Sequence, residues 1–230
     1  MTGEAARPDR ARYVLFDVDG TLIDAVSNQR RVWATWARRY GLDADEVHRV
    51  ALRTRPLTFA EVAPDRDPQE CLAALHDLED DDVRTGVYTA FDGAAELLRA
   101  LPTQRWALVT SNYAHRVRGR FRRTDLPVPR LIVDAAAVEE GKPSPVPYLR
   151  AAELLGAAPQ DCLVIEDAPS GVRSGREAGM TVWGVNTAVA VDGVHRHFRS
   201  LREAAPHILS FAEHRAPARP QEQAHAHRTG

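Results

Sequence analysis

The chain has 230 residues, 44% of them hydrophobic, with a formal net charge of −2 and two cysteines, Cys71 and Cys162. That length exceeds what one domain of about 150 residues needs and falls short of two, so a core domain with a smaller insert fits. The near-neutral balance gives no hold on nucleic acid or an anionic membrane, and two distant cysteines suit a reducing compartment rather than a disulfide scaffold. Residues 1–12 are polar, with Pro8 and three arginines, unlike a secretory signal. No apolar run is long enough to span a bilayer. The expectation is a cytoplasmic protein.

Residues 1–11 read as a loose start and 12–16 as the first strand. The run Tyr13-Val14-Leu15-Phe16 goes straight into Asp17-Val18-Asp19-Gly20-Thr21-Leu22. A turn that ends the strand accounts for Asp19 and Gly20. It does not account for Asp17, which stands where the apolar run should still hold and where an unpaired carboxylate is costly. A strand end that supplies two oxygen ligands accounts for both. Val32, Trp33, Trp36, Ala37 and Tyr40 then recur at helical spacing within 26–40, and Gly41 suits the position after that helix. A second helix is expected from Asp43 to Leu52, followed by breaks at Pro56, Pro64 and Pro68. A helix from Gln69 to Leu78 stops at the acidic run Glu79 to Asp82, which reads as a solvated helix end and loop. Residues 26 to 85 are thus helical throughout.

From residue 91 helix and strand alternate. Asp92 is the expected N-cap of a helix. Then come strand Trp106–Val109, helix Tyr113–Arg123, strand Leu131–Val133 and helix Val146–Leu155, with Pro147 in its first turn. Strand Leu163–Ile165, helix Ser170–Ala178 and strand Thr181–Val185 complete the series, and 195–213 adds a short strand and a helix. In the helix from Tyr113, Val117 and Phe121 turn to the core and the arginines fan around the exposed side. This spacing predicts an α/β fold with a Rossmann-like parallel sheet and right-handed crossovers. The core is 1–25 with 86–215, the helical block 26–85 is an insertion, and 216–230 lacks periodicity and is expected to be disordered.

Each of three apolar runs ends on polar residues. Phe16 is followed by Asp17, Val109 by Thr110, Ser111 and Asn112, and Ile165 by Glu166 and Asp167. In open parallel sheets, sites lie just outside the carboxyl ends of the strands, so these side chains meet at one edge, with Lys142 after the third strand. Crowded carboxylates need a cation, and oxygen ligands without Cys or His suit Mg²⁺. A divalent cation, a lysine, small hydroxyls and loop amides describe a phosphoryl site. There one carboxylate can attack phosphorus, and a second can protonate the leaving oxygen and then activate water. The cation and the lysine can neutralise charge on the phosphoryl oxygens.

Asp17-Val18-Asp19-Gly20-Thr21-Leu22, Thr110 after a strand, Gly141-Lys142-Pro143, and Glu166-Asp167 after a strand resemble the four motifs of the haloacid dehalogenase superfamily, in its order and spacing. The resemblance implies that Asp17 is nucleophile and metal ligand. It implies that Asp19 is the general acid/base, with its backbone carbonyl on the metal and its side chain free to shuttle a proton. Thr110 would bind a phosphoryl oxygen, with Ser111 and Asn112 adding donors, and Lys142 would link nucleophile and phosphate. Asp167 would be the remaining metal ligand, with Glu166 a ligand or a partner of the ligands. The block 26–85 looks like the family's helical cap. In it Arg55 is expected to meet the substrate, a solvated surface charge being the other reading. Asp24 is either part of the hinge into the cap or a helix N-cap.

The activity implied is that of a Mg²⁺-dependent phosphatase of small phosphorylated sugars or polyols, acting through an aspartyl-phosphate. Gln29 stands where relatives of the β-phosphoglucomutase kind carry a histidine, which weighs against that phosphomutase alternative. The intact set Asp17, Asp19, Lys142 and Asp167 weighs against a non-catalytic, phosphometabolite-binding regulatory protein. The partner expected is a small phosphorylated metabolite, with neither nucleic acid nor membrane, for a monomer or weak homodimer.

Overall fold

The computed structural model describes residues 11–50 and 55–213. The tail expected to be disordered, 216–230, lies outside them, as does the side chain of Arg55. Strand β1 (Tyr13–Phe16) is followed by the short β2 (Ile23–Asp24) and four helices, α1 (Val26–Tyr40), α2 (Ala44–Val50), α3 (Arg55–Val62) and α4 (Pro68–Thr85). The chain then returns through β3 (Thr89–Ala90), which pairs antiparallel with β2. The remainder alternates: α5 (Ala94–Ala100), β4 (Trp106–Val109), α6 (Ala114–Arg123), β5 (Ile132–Val133), α7 (Val146–Leu155), β6 (Cys162–Glu166), α8 (Pro169–Glu177), β7 (Thr181–Gly184), β8 (Arg196–His197) and α9 (Leu201–Glu213).

Six strands form one sheet in the order β5-β4-β1-β6-β7-β8, and every pairing in it is parallel. This is the expected Rossmann-like α/β sheet, with β1 at its centre. Strand residues alternate between two apolar layers, as a period of two requires. Val14, Phe16, Leu108 and Ile165 pack with Leu97, Val117, Phe121 and Ile208, while Leu15, Val109 and Val164 pack with Tyr148, Ala151 and Val172 on the other face. Both faces are covered, which is why these strands read as continuous apolar runs. The four inserted helices bury their own cluster around Val32, Trp33, Trp36, Val47, Phe59 and Leu75, and the Trp36 indole N–H donates to the Cys71 carbonyl at 3.0 Å.

Three local expectations are corrected. The helix expected to stop at Leu78 runs on through the acidic residues to Thr85, because Glu79 and Asp80 find partners on α6 and Asp82 on α1, and these need no solvated loop. Asp92 does not cap α5; the N-cap is Gly93, and the Asp92 carboxylate instead pairs with Arg202 at the start of α9. The arginines of α6 do not all fan into solvent, since Arg116 and Arg120 are buried. Asp24 acts at a helix start, its Oδ1 accepting from the Val26 N–H at 3.3 Å.

Candidate active site

The carboxyl ends of β1, β4 and β6 lie side by side because β1 pairs in parallel register with both neighbours, Phe16 opposite Leu108 and Ile165. The next residues of each strand therefore converge. Lys142 Nζ donates to Asp17 Oδ1 at 2.6 Å, to Glu166 Oε1 at 2.6 Å and to the Val109 carbonyl at 3.0 Å. All three ammonium protons are thus spent on the ends of three neighbouring strands.

Glu166 is held from every side. Its Oε1 also accepts from the Tyr148 hydroxyl at 2.8 Å, and its Oε2 accepts from the backbone N–H groups of Asp167 and Ala168 at 3.2 and 3.3 Å. Asp167 Oδ1 accepts from the Thr21 hydroxyl at 3.0 Å. Two glycines make room for these carboxylates. A Cβ at Gly171 would fall 1.6 Å from Glu166 Oε1, and one at Gly20, whose φ is +101°, would fall 2.0 Å from Asp167 Oδ2. Asn186 braces the loop after β1 by donating to the carbonyls of Gly20 and Thr21 at 2.9 and 3.0 Å.

Asp17, Glu166 and Asp167 each offer a carboxylate oxygen within 4.8 Å of the others. Three carboxylates face one ammonium, so the edge carries excess negative charge. The consequence is visible in proton affinity. Burial pushes Asp17 well above the usual carboxylate range, with the pull of Lys142 opposing and the charges of Glu166 and Asp167 adding to the rise. Burial and then the charge of Glu166 push Asp167 up to about 7. Burial disfavours the charge on Lys142, but Asp17 and Glu166 outweigh it and hold the ammonium firmly protonated. A buried, oxygen-only set with uncompensated negative charge fits a hard divalent cation.

The second half of the site lies beside β4. Thr110 is buried, and its hydroxyl accepts from the Asn112 N–H at 3.1 Å, shaping the loop into α6. The Asn112 side chain reaches back to Asp19 Oδ2 at 3.4 Å. Ser111 is exposed and, among the described residues, joins none of these bonds. The Asp19 carboxylate is not part of the Asp17–Glu166–Asp167 group, nor is it free. Arg120 Nη1, from the second turn of α6, donates to its two oxygens at 2.5 and 2.7 Å. The Arg120 guanidinium lies over the Tyr88 ring, 5.3 Å from its centre.

Arg120, Tyr148 and Asn186 are thus side chains at this site that sequence reasoning passed over. The signal for Arg120 was present but ambiguous: Arg116 and Arg120 are four apart, one position from Val117 and Phe121, so this arginine stripe borders the core face of the helix. Tyr148 carried no signal beyond an aromatic at helical spacing.

The sequence model of the haloacid dehalogenase-like hydrolase family matches residues 11–179. The chain belongs to this family. It is 40% identical to hexitol phosphatase A of Escherichia coli K12 over 183 residues, covering 77% of this chain and 84% of that protein. It is 32% identical to glycerol-1-phosphate phosphohydrolase 2 of Saccharomyces cerevisiae over 195 residues, covering 77% and 76%. Its fold matches the crystal structure of a family IA, variant 3 hydrolase from Entamoeba histolytica with a TM-score of 0.74 at 23% identity, over 88% of this chain and all of that one. The expected class, a haloacid dehalogenase-type phosphomonoester hydrolase, agrees with these relatives. Among the described residues no helix is long and apolar enough to cross a membrane.

Proposed function

We propose that the protein hydrolyses small phosphorylated sugars or polyols through an aspartyl-phosphate on Asp17, with Mg²⁺ held by Asp17, Asp167 and the backbone carbonyl of Asp19. The observation that carries this reading is the Asp17 carboxylate, bonded to Lys142 at 2.6 Å within a buried group of three carboxylates at the sheet edge. A bound Mg²⁺ would neutralise charge on the phosphoryl oxygens. Lys142 orients Asp17 and adds its own positive charge beside it. An Asp17 oxygen attacks phosphorus as the bond to the leaving oxygen breaks, and Asp19 gives that oxygen its proton. Water then attacks the phosphorus, Asp19 takes up one of its protons, the bond to Asp17 breaks and phosphate leaves. Glu166, saturated by Lys142, Tyr148 and two backbone N–H groups, positions the lysine.

The named activities of the two relatives, on a hexitol phosphate and on glycerol 1-phosphate, support the polyol class of substrate. Residues 26–85 serve in this reading as a helical cap over a core of 1–25 and 86–215, with Arg55 at the substrate. Two buried, unpaired cysteines support a cytoplasmic location. The test is phosphate release from a panel of hexitol, hexose and glycerol phosphates, repeated with Arg55→Ala. Polyol phosphates are expected to rank first, and Arg55→Ala to reorder the panel more than it slows an aryl phosphate. No release from any member sinks the hydrolase reading; a uniform loss in the variant rejects the role of Arg55.

A further inference from the structure

We propose that Arg120 is a positioning residue that orients the ionised Asp19 carboxylate for the second half of the reaction, the attack of water on the phosphorylated enzyme. The proposal rests on the reading of Asp19 as the proton-transfer group.

The geometry points there in three ways. First, Arg120 Nη1 contacts both oxygens of the Asp19 carboxylate, at 2.5 and 2.7 Å. A single nitrogen that spans both oxygens fixes the plane of the carboxylate, and in the proposed mechanism this carboxylate has already given its proton to the leaving group when water attacks. Second, the contact is made at a cost. Arg120 is 4% exposed, and its Nε is buried without a hydrogen-bond partner among the described residues. Native structures seldom leave a buried donor unpaired. A guanidinium serving only to hold α6 would be expected to satisfy that donor, whereas this one is aimed so that one nitrogen covers both oxygens of Asp19. Third, the guanidinium is fixed from behind. It lies over the ring of Tyr88, whose hydroxyl donates to Asp82 Oδ2 at 2.5 Å, and Asn28 donates to that same oxygen at 2.9 Å. Asp82 is on α4 and Asn28 on α1, so two of the inserted helices back up the group that sets the rotamer of Asp19. Asn112 Nδ2, at 3.4 Å, supports the carboxylate from the β4 side.

The half-reactions separate with 4-nitrophenyl phosphate, whose leaving group departs without a proton. In Arg120→Met the first half should proceed and the second should slow. The expected result is a burst of nitrophenolate approaching one per enzyme, with kcat lower by about 10- to 100-fold, the loss typical of a displaced catalytic group. KM should fall in parallel, leaving kcat/KM within about twofold of the wild type. Arg120→Lys, which keeps the charge on a single ammonium, should show a smaller burst and a partial loss, and it serves as the test if Arg120→Met does not fold by circular dichroism. In an Asp19→Asn background either Arg120 variant should cause no further loss, because its effect runs through Asp19. A loss that appears equally in kcat/KM without a burst, a kcat unchanged from the wild type, or a loss that adds to that of Asp19→Asn overturns the proposal. If Asp19→Asn alone turns over at the wild-type rate, the reading of Asp19 itself has failed, an outcome distinct from failure of Arg120.

Discussion

Two regions of this molecule bring acidic and basic side chains together under partial or full burial, and they do opposite things with them. At the sheet edge, Asp17, Glu166 and Asp167 share one lysine. At the seam between α4 and α6, Arg116 pairs with Glu79 and Asp80, while Asp82 takes Arg31, Asn28 and the Tyr88 hydroxyl. Arg123 closes the same seam on the carbonyls of Arg84 and Gly86 at 2.8 and 3.0 Å. The seam is charge-balanced and the edge is not. Proton affinities register the difference. Asp17 and Asp167 are raised, chiefly by burial. Asp80 and Asp82 are also pushed up by burial, but their hydrogen bonds, from Arg116 and His115 and from Tyr88, Asn28 and Arg31, outweigh it and bring them below the usual range. Excess charge marks the edge that the proposed function assigns to a cation and a phosphoryl group, and neutralised charge marks a joint that holds helices together.

The contrast is sharpest under mutation. Asp17→Asn removes one of the excess charges and the proposed nucleophile. Turnover is expected to fall by about four orders of magnitude or more, with the melting temperature of the cation-free protein unchanged or higher, as followed by circular dichroism. Turnover near the wild type removes Asp17 as the nucleophile; a large drop in melting temperature would mean that the edge is a structural joint after all. Arg116→Ala does the reverse. It removes the buried guanidinium that pairs with Glu79 and Asp80, leaving Asp80 with His115, for an expected loss of about 2–3 kcal/mol in unfolding free energy. The activity per folded molecule is expected to stay within about twofold. Denaturant unfolding checks the first and active-site titration the second, and a loss below about 1 kcal/mol would place the seam among ordinary surface pairs.

The smallest effect is one of pH. Asp167 binds its proton up to about 7 in the cation-free protein, so below that pH a cation must displace a proton. The Mg²⁺ concentration for half activation should rise as pH falls, by about tenfold between pH 8 and pH 6. A flat profile would detach Asp167 from the cation. Stability runs in opposite directions in the two regions. A carboxylate raised on folding favours the native state at low pH, and that contribution is lost as pH rises through its folded value. In the cation-free protein Asp167 therefore weakens the fold as pH rises from the ordinary carboxylate range towards 7, and Mg²⁺ should restore the loss above 7. The lowered Asp80 and Asp82 favour the native state above the ordinary carboxylate range, and their contribution is lost as pH falls below it.

The two regions also differ in how much of them could be read from the residues. The sheet edge was legible because it obeys a local rule. An apolar run says strand, the residue after the run sits at the strand's end, and parallel strands put their ends on one side. Asp17, Thr110, Glu166 and Asp167 were located by that rule alone, and Lys142 by following the third strand. The seam was not legible. The run Glu79 to Asp82 and the arginines of α6 each look like a solvated face when taken singly. Asp80 and Arg116 are 36 positions apart, and no periodicity within either helix says that it faces the other. Continuation of α4 to Thr85 follows from the same pairing, since its last turns gain partners that a helix exposed to water would lack.

Asp19 stands on the line between the two. The sequence by itself determined its place at the sheet edge, two residues past Asp17, because the backbone there is set by strand and turn. It also determined the parallel sheet, the helical insertion and the carboxylates that crowd the carboxyl ends of the strands. Only the tertiary structure decided where the Asp19 side chain points. That direction depends on Arg120, one turn beyond Arg116 on a helix 101 residues away, and on Tyr88 and Asp82 behind it. Backbone position is a matter of local pattern, whereas the direction of a buried charge is settled by whichever opposite charge the fold brings within hydrogen-bonding distance.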